Sequence, residues 1–405
     1  MAEVVPCGSL YCQKNCYSRQ LTSQVVSCSP GKGGEYEIVL VDTVLFPEGG
    51  GQPDDRGTLN GLEVHRVVRQ GAKAVHFTKA PLDVGGSVNI EIDWGRRFDH
   101  MQQHSGQHLI TAVADRDHGY KTKSWYLTIG ETNRCYIELD TPKLSADEME
   151  SIERTCNELI RQGVPMTPMW YSTKDPKLEA VRSRGLPDDF EGSEVRVVEI
   201  EGLDVNMCCG THVSSLSHLQ CVQLLYSESK KGSTLLYYIV GNRILGYTKR
   251  AFANETALNK LLSVSMTEHV DAVEKAQKNS RITSKACRNQ LREIAQLLVY
   301  KHLHSAPRDP VACVHRDDGD NEFMNVMANG LTAEGVTVLV TVGGSSGPGQ
   351  VLLAGESDFV AALGPKVMDV LDGKGGGRKG RFQGKVSKLE KRGEAEELLR
   401  KNMKD

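Results

Sequence analysis

The chain has 405 residues, 39% of them hydrophobic, with 52 acidic against 49 basic side chains and a formal charge of −3. That length suggests two or three domains, and the composition supports a packed core rather than disorder. The even balance excludes a global attraction to nucleic acid or an acidic membrane, and no apolar run approaches the roughly 18 residues of a membrane-spanning helix.

In chain order, the start Met1-Ala2-Glu3-Val4-Val5-Pro6 carries an acid where a signal peptide wants a base. The eleven cysteines are odd in number and scattered, which suits a reducing compartment and a cytoplasmic location. Cys7, Cys12, Cys16 and Cys28 form no CxxC pair and are expected to be free thiols. Over residues 1–95, short strands are predicted at Tyr36–Val44, Leu62–Val68, Ala74–Phe77 and Ser87–Ile92. Turn signals at Pro30-Gly31, Gly49-Gly50-Gly51, Asn60-Gly61 and Gly85-Gly86 separate them, a spacing that suits a small β-barrel or sandwich.

The pattern changes at Arg96. Phe98, Met101, Ser105, His108, Leu109 and Ala112 recur at helical intervals and predict a helix over 96–116. Strand-like Cys135–Leu139 precedes a second helix, in which Ser145 and Glu148 are spaced as a capping box. Further strands are expected at 195–201, 219–226 and 234–240, so that 96–248 reads as an α+β domain. Residues 249–303 lack turn signals and carry Leu258, Leu261, Leu262, Met266, Val270, Val273, Ile282, Leu291, Ile294 and Leu298 on a helical period. They predict a long helix or helical hairpin, a connector over 249–306. Residues 307–405 then alternate strand-like Val336–Val342 and Val351–Ala354 with a helical segment from Asp358 to Leu371, an α/β pattern. They run into a basic tail, where Lys374, Arg378, Lys379, Arg381, Lys385, Lys388, Lys391 and Arg392 face the single acid Glu390 among many glycines.

Two short motifs carry the chemistry. In His104-Ser105-Gly106-Gln107-His108 two imidazoles stand four apart on a predicted helix, so both project from one face and can share an ion. In Cys208-Cys209-Gly210-Thr211-His212 a thiolate and an imidazole, four apart across a glycine-containing turn, can converge on one point. Three nitrogens and a sulfur form the borderline-soft tetrahedral set that Zn2+ prefers. His100, four before His104, is an alternative ligand or a substrate contact, and Cys209 is an alternative thiolate. A third signal is Phe46-Pro47-Glu48-Gly49-Gly50-Gly51-Gln52-Pro53, where three glycines permit close backbone approach. It reads either as a hairpin loop or as a loop touching substrate through Gly50, Gly51 and Gln52.

With those residues in view, the chain resembles the editing region of alanyl-tRNA synthetase, over roughly residues 35–245. Without an aminoacylation core ahead of it, it is similar to the freestanding alanyl-tRNA editing proteins of the AlaX group, long form. Gly375-Gly376-Gly377-Arg378 before Gln383-Gly384 looks like the glycine-rich C-terminal domain of the same family. The resemblance implies hydrolysis of the ester joining a wrong amino acid, chiefly serine and sometimes glycine, to tRNA(Ala). It implies one zinc ion on His104, His108, Cys208 and His212. The expected fold is therefore α+β and multidomain: a β-barrel, a zinc-containing editing domain, a helical connector and a glycine-rich α/β domain. Two departures stand out: Cys209 where the family commonly has glycine, and Gln107 where its synthetase members often have threonine.

An aminoacyl ester is activated, so the reaction needs a positioned water and a selective pocket rather than a covalent nucleophile. Zinc can lower the pKa of water to about 7 or polarise a carbonyl, but four protein ligands close a tetrahedral site. Either one ligand is weak, or the metal organises the pocket and holds the substrate while a polar group such as Gln107 or Thr211 orients the catalytic water; the second is the preferred expectation. Lys374, Arg378, Lys379 and Arg381 are expected to follow the phosphate backbone of tRNA, with a solvated basic segment as the plainer alternative. A metalloprotease is disfavoured, because no glutamate follows His104 as in HExxH. A zinc-stabilised RNA-binding module without catalysis is the rival of another class.

Overall fold

In a computed structural model that describes residues 3–130, 133–182 and 193–403, the chain divides between Ala257 and Leu258 into two units. The first opens with a helical turn, α1 (Tyr11–Lys14), and seven strands: β1 (Gln20–Pro30), β2 (Tyr36–Leu40), β3 (Gly57–Leu59), β4 (Leu62–Val64), β5 (Arg66–Gln70), β6 (Lys73–Thr78) and β7 (Ser87–Ile92). They pair antiparallel in the order β4-β3-β7-β1-β2-β6-β5. Only His65 separates β4 from β5, so the two ends of this sheet are one bent strand and the sheet nearly closes into a barrel. Its interior holds Val25, Ile38, Leu40, Phe46, Val88 and Ile90. Strand β1 has no counterpart among the sequence expectations, because its eleven residues bury only Val25 and show no apolar alternation to read.

Helix α2 (Trp94–His118) follows, started by the Asp93 carboxylate, which accepts from the Arg96 amide at 3.1 Å, and ended by Gly119 at φ 71°. Every residue from His100 to Ala114 is buried, so α2 is a central helix whose polar side chains must find partners inside the protein. Gln103 clamps Val240 through both its backbone groups, at 2.9 and 3.1 Å. Arg97, fully buried, forks onto Asp55 and donates to the carbonyls of Cys16 at 3.0 Å and Val44 at 2.6 Å, pinning α2 to the barrel.

Around α2 lie β8 (Thr122–Tyr126), β9 (Cys135–Leu139), α3 (Ala146–Gln162), β10 (Met166–Ser172), β11 (Glu194–Ile200), β12 (Asp204–Met207), β13 (Val222–Lys230) and β14 (Ser233–Val240). They make an antiparallel β10-β11-β12 sheet and a β13-β14-β9-β8 sheet. The capping box on α3 is present: Glu148 N donates to Ser145 Oγ at 3.2 Å, and Ser145 N to Glu148 Oε2 at 2.8 Å. Gly106 lets α2 approach β14, for a Cβ there would lie 2.5 Å from Val240 Cγ2.

Where a long helix or a helical hairpin is expected there are two helices, α4 (Asn242–Leu262) and α5 (His269–Leu303). The break falls where Ser263 takes φ 56°, and Ser265 with Glu268 restarts the helix through a capping box. In the second unit α5 is followed by β15 (Val311–Arg316), α6 (Asn321–Thr332), β16 (Thr337–Gly343), β17 (Gly349–Ala354), α7 (Ser357–Val370), β18 (Gly373–Arg378), β19 (Arg381–Val386) and α8 (Arg392–Asn402). The sheet order is β15-β16-β17-β19-β18, with only the first pair parallel. Successive side chains of β16 serve opposite faces: Val338 and Val340 pack with α5 and α6, Leu339 with α7 and α8. The basic stretch expected as a tail is instead folded, for its glycines let β18 and β19 pair closely and its end is α8. Among the described residues no helix is long and apolar enough to cross a membrane.

Candidate metal centre

The i, i+4 spacing on α2 sets His104 and His108 on one face, with ring centroids 5.1 Å apart. The loop leaving β12 brings Cys208 and His212 to the same place. His212 stands 4.4 Å from His104 and 4.7 Å from His108, centroid to centroid. One ligand atom from each of His104, His108, Cys208 and His212 lies within 4.8 Å of the others, an arrangement able to hold a metal ion. The Cys208 Sγ is 3.5 Å from His104 Nε2 and 3.2 Å from His212 Nε2. Gly210 is required in this loop, because a Cβ would fall 2.4 Å from two atoms of the His104 ring.

The far nitrogens of two imidazoles are already engaged. His104 Nδ1 is 2.9 Å from Gln52 Oε1, and His212 Nδ1 is 3.1 Å from Ser105 Oγ. Such contacts fix the ring and its tautomer, leaving Nε2 free for an ion. Gln52 is aimed inward by a tight turn in which Gly49 and Gln52 exchange backbone hydrogen bonds at 3.1 and 3.0 Å. Between them Gly50 and Gly51 take φ of 61° and 78°, conformations that favour glycine. His108 Nδ1 is buried with no hydrogen-bond partner among the described residues.

Burial dominates the electrostatics. It holds His104 and His212 well below the usual histidine range and His108 at about 3, so all three are neutral lone-pair donors. Burial also pushes the Cys208 thiol up to about 12. A cation bound here would reverse that, since metal binding draws off the thiol proton.

A cavity of about 1090 Å3 opens onto the centre. Cys208, His108, Gln107 and Thr111 line it, as do the Gly49–Gly51 turn and Trp125. The lining also carries charge, with Asp115 taking Arg182 at 2.8 Å and Lys121 at 2.6 Å. Gln107 Nε2 donates to Thr111 Oγ1 at 2.9 Å, while its Oε1 has no partner among the described residues. Sequence reasoning missed Ser105, although its position inside the histidine motif was a signal, and missed the Asp115–Arg182 pair, which joins distant segments.

The chain's likeness to known proteins agrees with this architecture. Residues 195–236 match the model of the Threonyl and Alanyl tRNA synthetase second additional domain. A Mus musculus protein named Alanyl-tRNA editing protein Aarsd1 is 48% identical over 401 residues, covering 96% of each chain. The chain belongs to the alanyl-tRNA editing protein family. A Pyrococcus horikoshii member, Alanyl-tRNA editing protein AlaX-L, is 29% identical over 227 residues, 54% of each chain. Among solved structures, the C-Ala domain of Aquifex aeolicus alanyl-tRNA synthetase covers 22% of this chain and 87% of that one, at 19% identity and a TM-score of 0.21. That likeness is too slight to bear on function.

In this family member the other expected site residues fall in distinct places. Thr211 is buried, accepting from Gln52 Nε2 at 2.8 Å and donating its amide to Gln52 Oε1 at 3.0 Å. Gln52 is equally buried and bonds His104 and Thr211, so neither side chain lines the cavity. Cys209 lines it without joining the four ligands; its Sγ lies 3.0 Å from where a Gly50 Cβ would be. His100 is not in the cluster, and burial with the charges of Arg96, Arg243 and Arg97 pushes it down to about 3. Lys374, Arg378 and Lys379 are exposed on the β18–β19 hairpin of the second unit. Arg381 donates to Asn325 at 2.7 Å and Asn329 at 3.2 Å.

Proposed function

We propose that the protein is a trans-acting editing hydrolase that deacylates mischarged tRNA(Ala), chiefly Ser-tRNA(Ala) and also Gly-tRNA(Ala), in the cytoplasm with one zinc ion per chain. The observation that carries this reading is the four-ligand centre set in the wall of a cavity large enough for an aminoacyl ester and its terminal nucleotide. The donor set supports zinc over magnesium or calcium, because a thiol and three imidazoles suit a borderline-soft ion. Zinc bonds of about 2.0 Å to nitrogen and about 2.3 Å to sulfur give a tetrahedral N–S edge of about 3.5 Å. The 3.5 and 3.2 Å separations at Cys208 support that fit.

His104, His108, Cys208 and His212 would hold the ion, which supplies positive charge beside the ester carbonyl when bound. Gln52 and Thr211 act behind that shell. Gln52 fixes the His104 ring, and Thr211 fixes Gln52. Gln107 faces the cavity with a spare carbonyl oxygen, so it is the better candidate to orient water or the substrate hydroxyl. The backbone of Gly50 and Gly51 lets the ester approach without side-chain interference. A pocket that hydrogen-bonds a hydroxyl rejects alanine, which would leave polar groups unpaired. Lys374, Arg378 and Lys379 are offered as phosphate contacts.

The test is incubation of the purified protein with Ser-tRNA(Ala) and Ala-tRNA(Ala), with zinc measured in parallel, for wild type and Cys208→Ala. Loss of serine alone, abolished together with the zinc in the variant, is expected. Stable esters with zinc retained would make the protein a tRNA-binding module instead.

A further inference from the structure

Helix α5 carries a feature that the editing reaction does not use. From Lys275 to Arg292 it has six cations, Lys275, Lys278, Arg281, Lys285, Arg288 and Arg292, and no acid. At about 100° per residue, the last five fall within an arc of about 80°, one face running about 21 Å along the helix. Residues 273–290 are exposed around the whole circumference, so this part of α5 is not held by core packing. Among the described residues, Lys278, Arg281, Lys285 and Arg288 form no salt bridge; Arg292 alone stands 3.8 Å from Glu322. Glu274 shares the face one turn before Lys278. Unneutralised like charges at this spacing repel one another modestly, and a polyanion lying along the face would relieve that repulsion.

At its C-terminal end the stripe meets an acid. Glu322, beside Arg292, follows Asn321, whose Oδ1 accepts from Gln383 on β19 at 3.1 Å. Gln383 pairs with Gly376 on the edge strand β18, where Gly375, Gly376 and Gly377 expose bare backbone flanked by Lys374, Arg378 and Lys379. Helix α5 and the glycine hairpin are thus linked only through α6 and β19, with the acid Glu322 at the junction. The helix itself offers a line of charge that a phosphodiester chain can follow.

We propose that this face of α5 binds the sugar-phosphate backbone of tRNA. The proposal rests on the reading of the protein as one that acts on tRNA, and adds a surface that reading does not require. Recognition of this kind carries affinity without sequence information, leaving the amino-acid choice to the cavity.

The experiment uses the full-length, zinc-loaded protein and the variant Lys278→Gln, Arg281→Gln, Lys285→Gln and Arg288→Gln combined. A second variant carries Lys278→Arg and Lys285→Arg. Binding of uncharged tRNA(Ala) transcript is measured across a KCl series, with deacylation of Ser-tRNA(Ala) and helix content by circular dichroism alongside. The neutralised variant should bind at least tenfold more weakly, and its salt slope should fall by about three, at roughly 0.7–0.9 per phosphate contact. KM for Ser-tRNA(Ala) should rise while kcat at saturation stays within twofold, and the arginine variant should match wild type. A neutralised variant with wild-type affinity and slope overturns the proposal, while wild-type deacylation keeps the editing reading. Loss of binding to poly-glutamate but not to tRNA also overturns it, assigning the face to an acidic protein. A wild-type protein that neither binds tRNA nor releases serine sinks both.

Discussion

Gln52 Oε1 lies 2.9 Å from Nδ1 of His104, so a barrel turn and the central helix α2 meet through one amide. The same oxygen accepts the Thr211 amide at 3.0 Å, and the Gln52 NH2 donates to the Thr211 hydroxyl at 2.8 Å. One side chain therefore joins the two halves of the ligand set. Its carbonyl fixes the proton on Nδ1, which keeps the Nε2 lone pair directed at the centre.

Gln52→Ala should weaken metal binding by about 10–100-fold, the usual cost of losing such a supporting contact. Competition with a chromogenic chelator would measure this. Unchanged affinity would show that packing alone holds the His104 ring.

Gly210→Ala places a methyl 2.4 Å from the His104 ring and 2.8 Å from Gln52 Oε1. Overpacking of this kind costs about 1–3 kcal/mol. Here it displaces a ligand, so metal content should drop along with the midpoint of thermal unfolding. Gly393→Ala on α8, where a Cβ meets nothing within 4 Å, should be neutral or slightly stabilising.

Arg97 and Asp55 form an ion pair with no solvent exposure on either side chain. Replacing Arg97 with Met leaves a buried carboxylate uncompensated and frees the carbonyls of Cys16 and Val44. The expected loss is about 3–5 kcal/mol, measured by urea denaturation. Adding Asp55→Asn should recover part of it, because the residual charge is removed. No recovery would mean that the helix-to-barrel hydrogen bonds, rather than the charge, dominate.

His76 is one of the buried histidines that make the first unit sensitive to acid. Buried between Thr43 Oγ1 at 2.9 Å and the Ile38 carbonyl at 3.1 Å, it is pushed by burial down to about 4. The unfolded chain takes up this proton near pH 6.5 and the folded one only near 4. Stability is therefore full above about 6.5 and is lost as pH falls toward 4, by about 3 kcal/mol from this group. Comparing urea midpoints at pH 7 and 4.5 for wild type and His76→Gln would check it. The variant should lose less on acidification.

The cluster of His104, His108, Cys208 and His212 was legible because each pair lies within five residues and its side chains have few other uses in such a pattern. Helix α2 was legible for a related reason, since its apolar residues recur on one period. The supporting residues were not. Gln52 reads as part of a glycine-rich turn, and only the fold places it beside a histidine fifty-two positions away. Thr211, expected at the catalytic water, faces Gln52 because the loop turns its side chain inward behind the ligands. Strand β1 escaped notice because nearly all of its side chains stay near solvent. The glycine hairpin escaped because a strand without side chains has no periodicity to show.

The Arg97 fork and the Gln52 amide bear on what could be transplanted. A fragment beginning at Arg96 would keep all four ligands, yet Arg97 would lose Asp55 and His104 would lose the acceptor that selects its tautomer. Grafting the two ligand motifs onto a foreign helix and loop would meet the same obstacle. The portable unit includes the two-glycine turn that precedes both motifs in the chain.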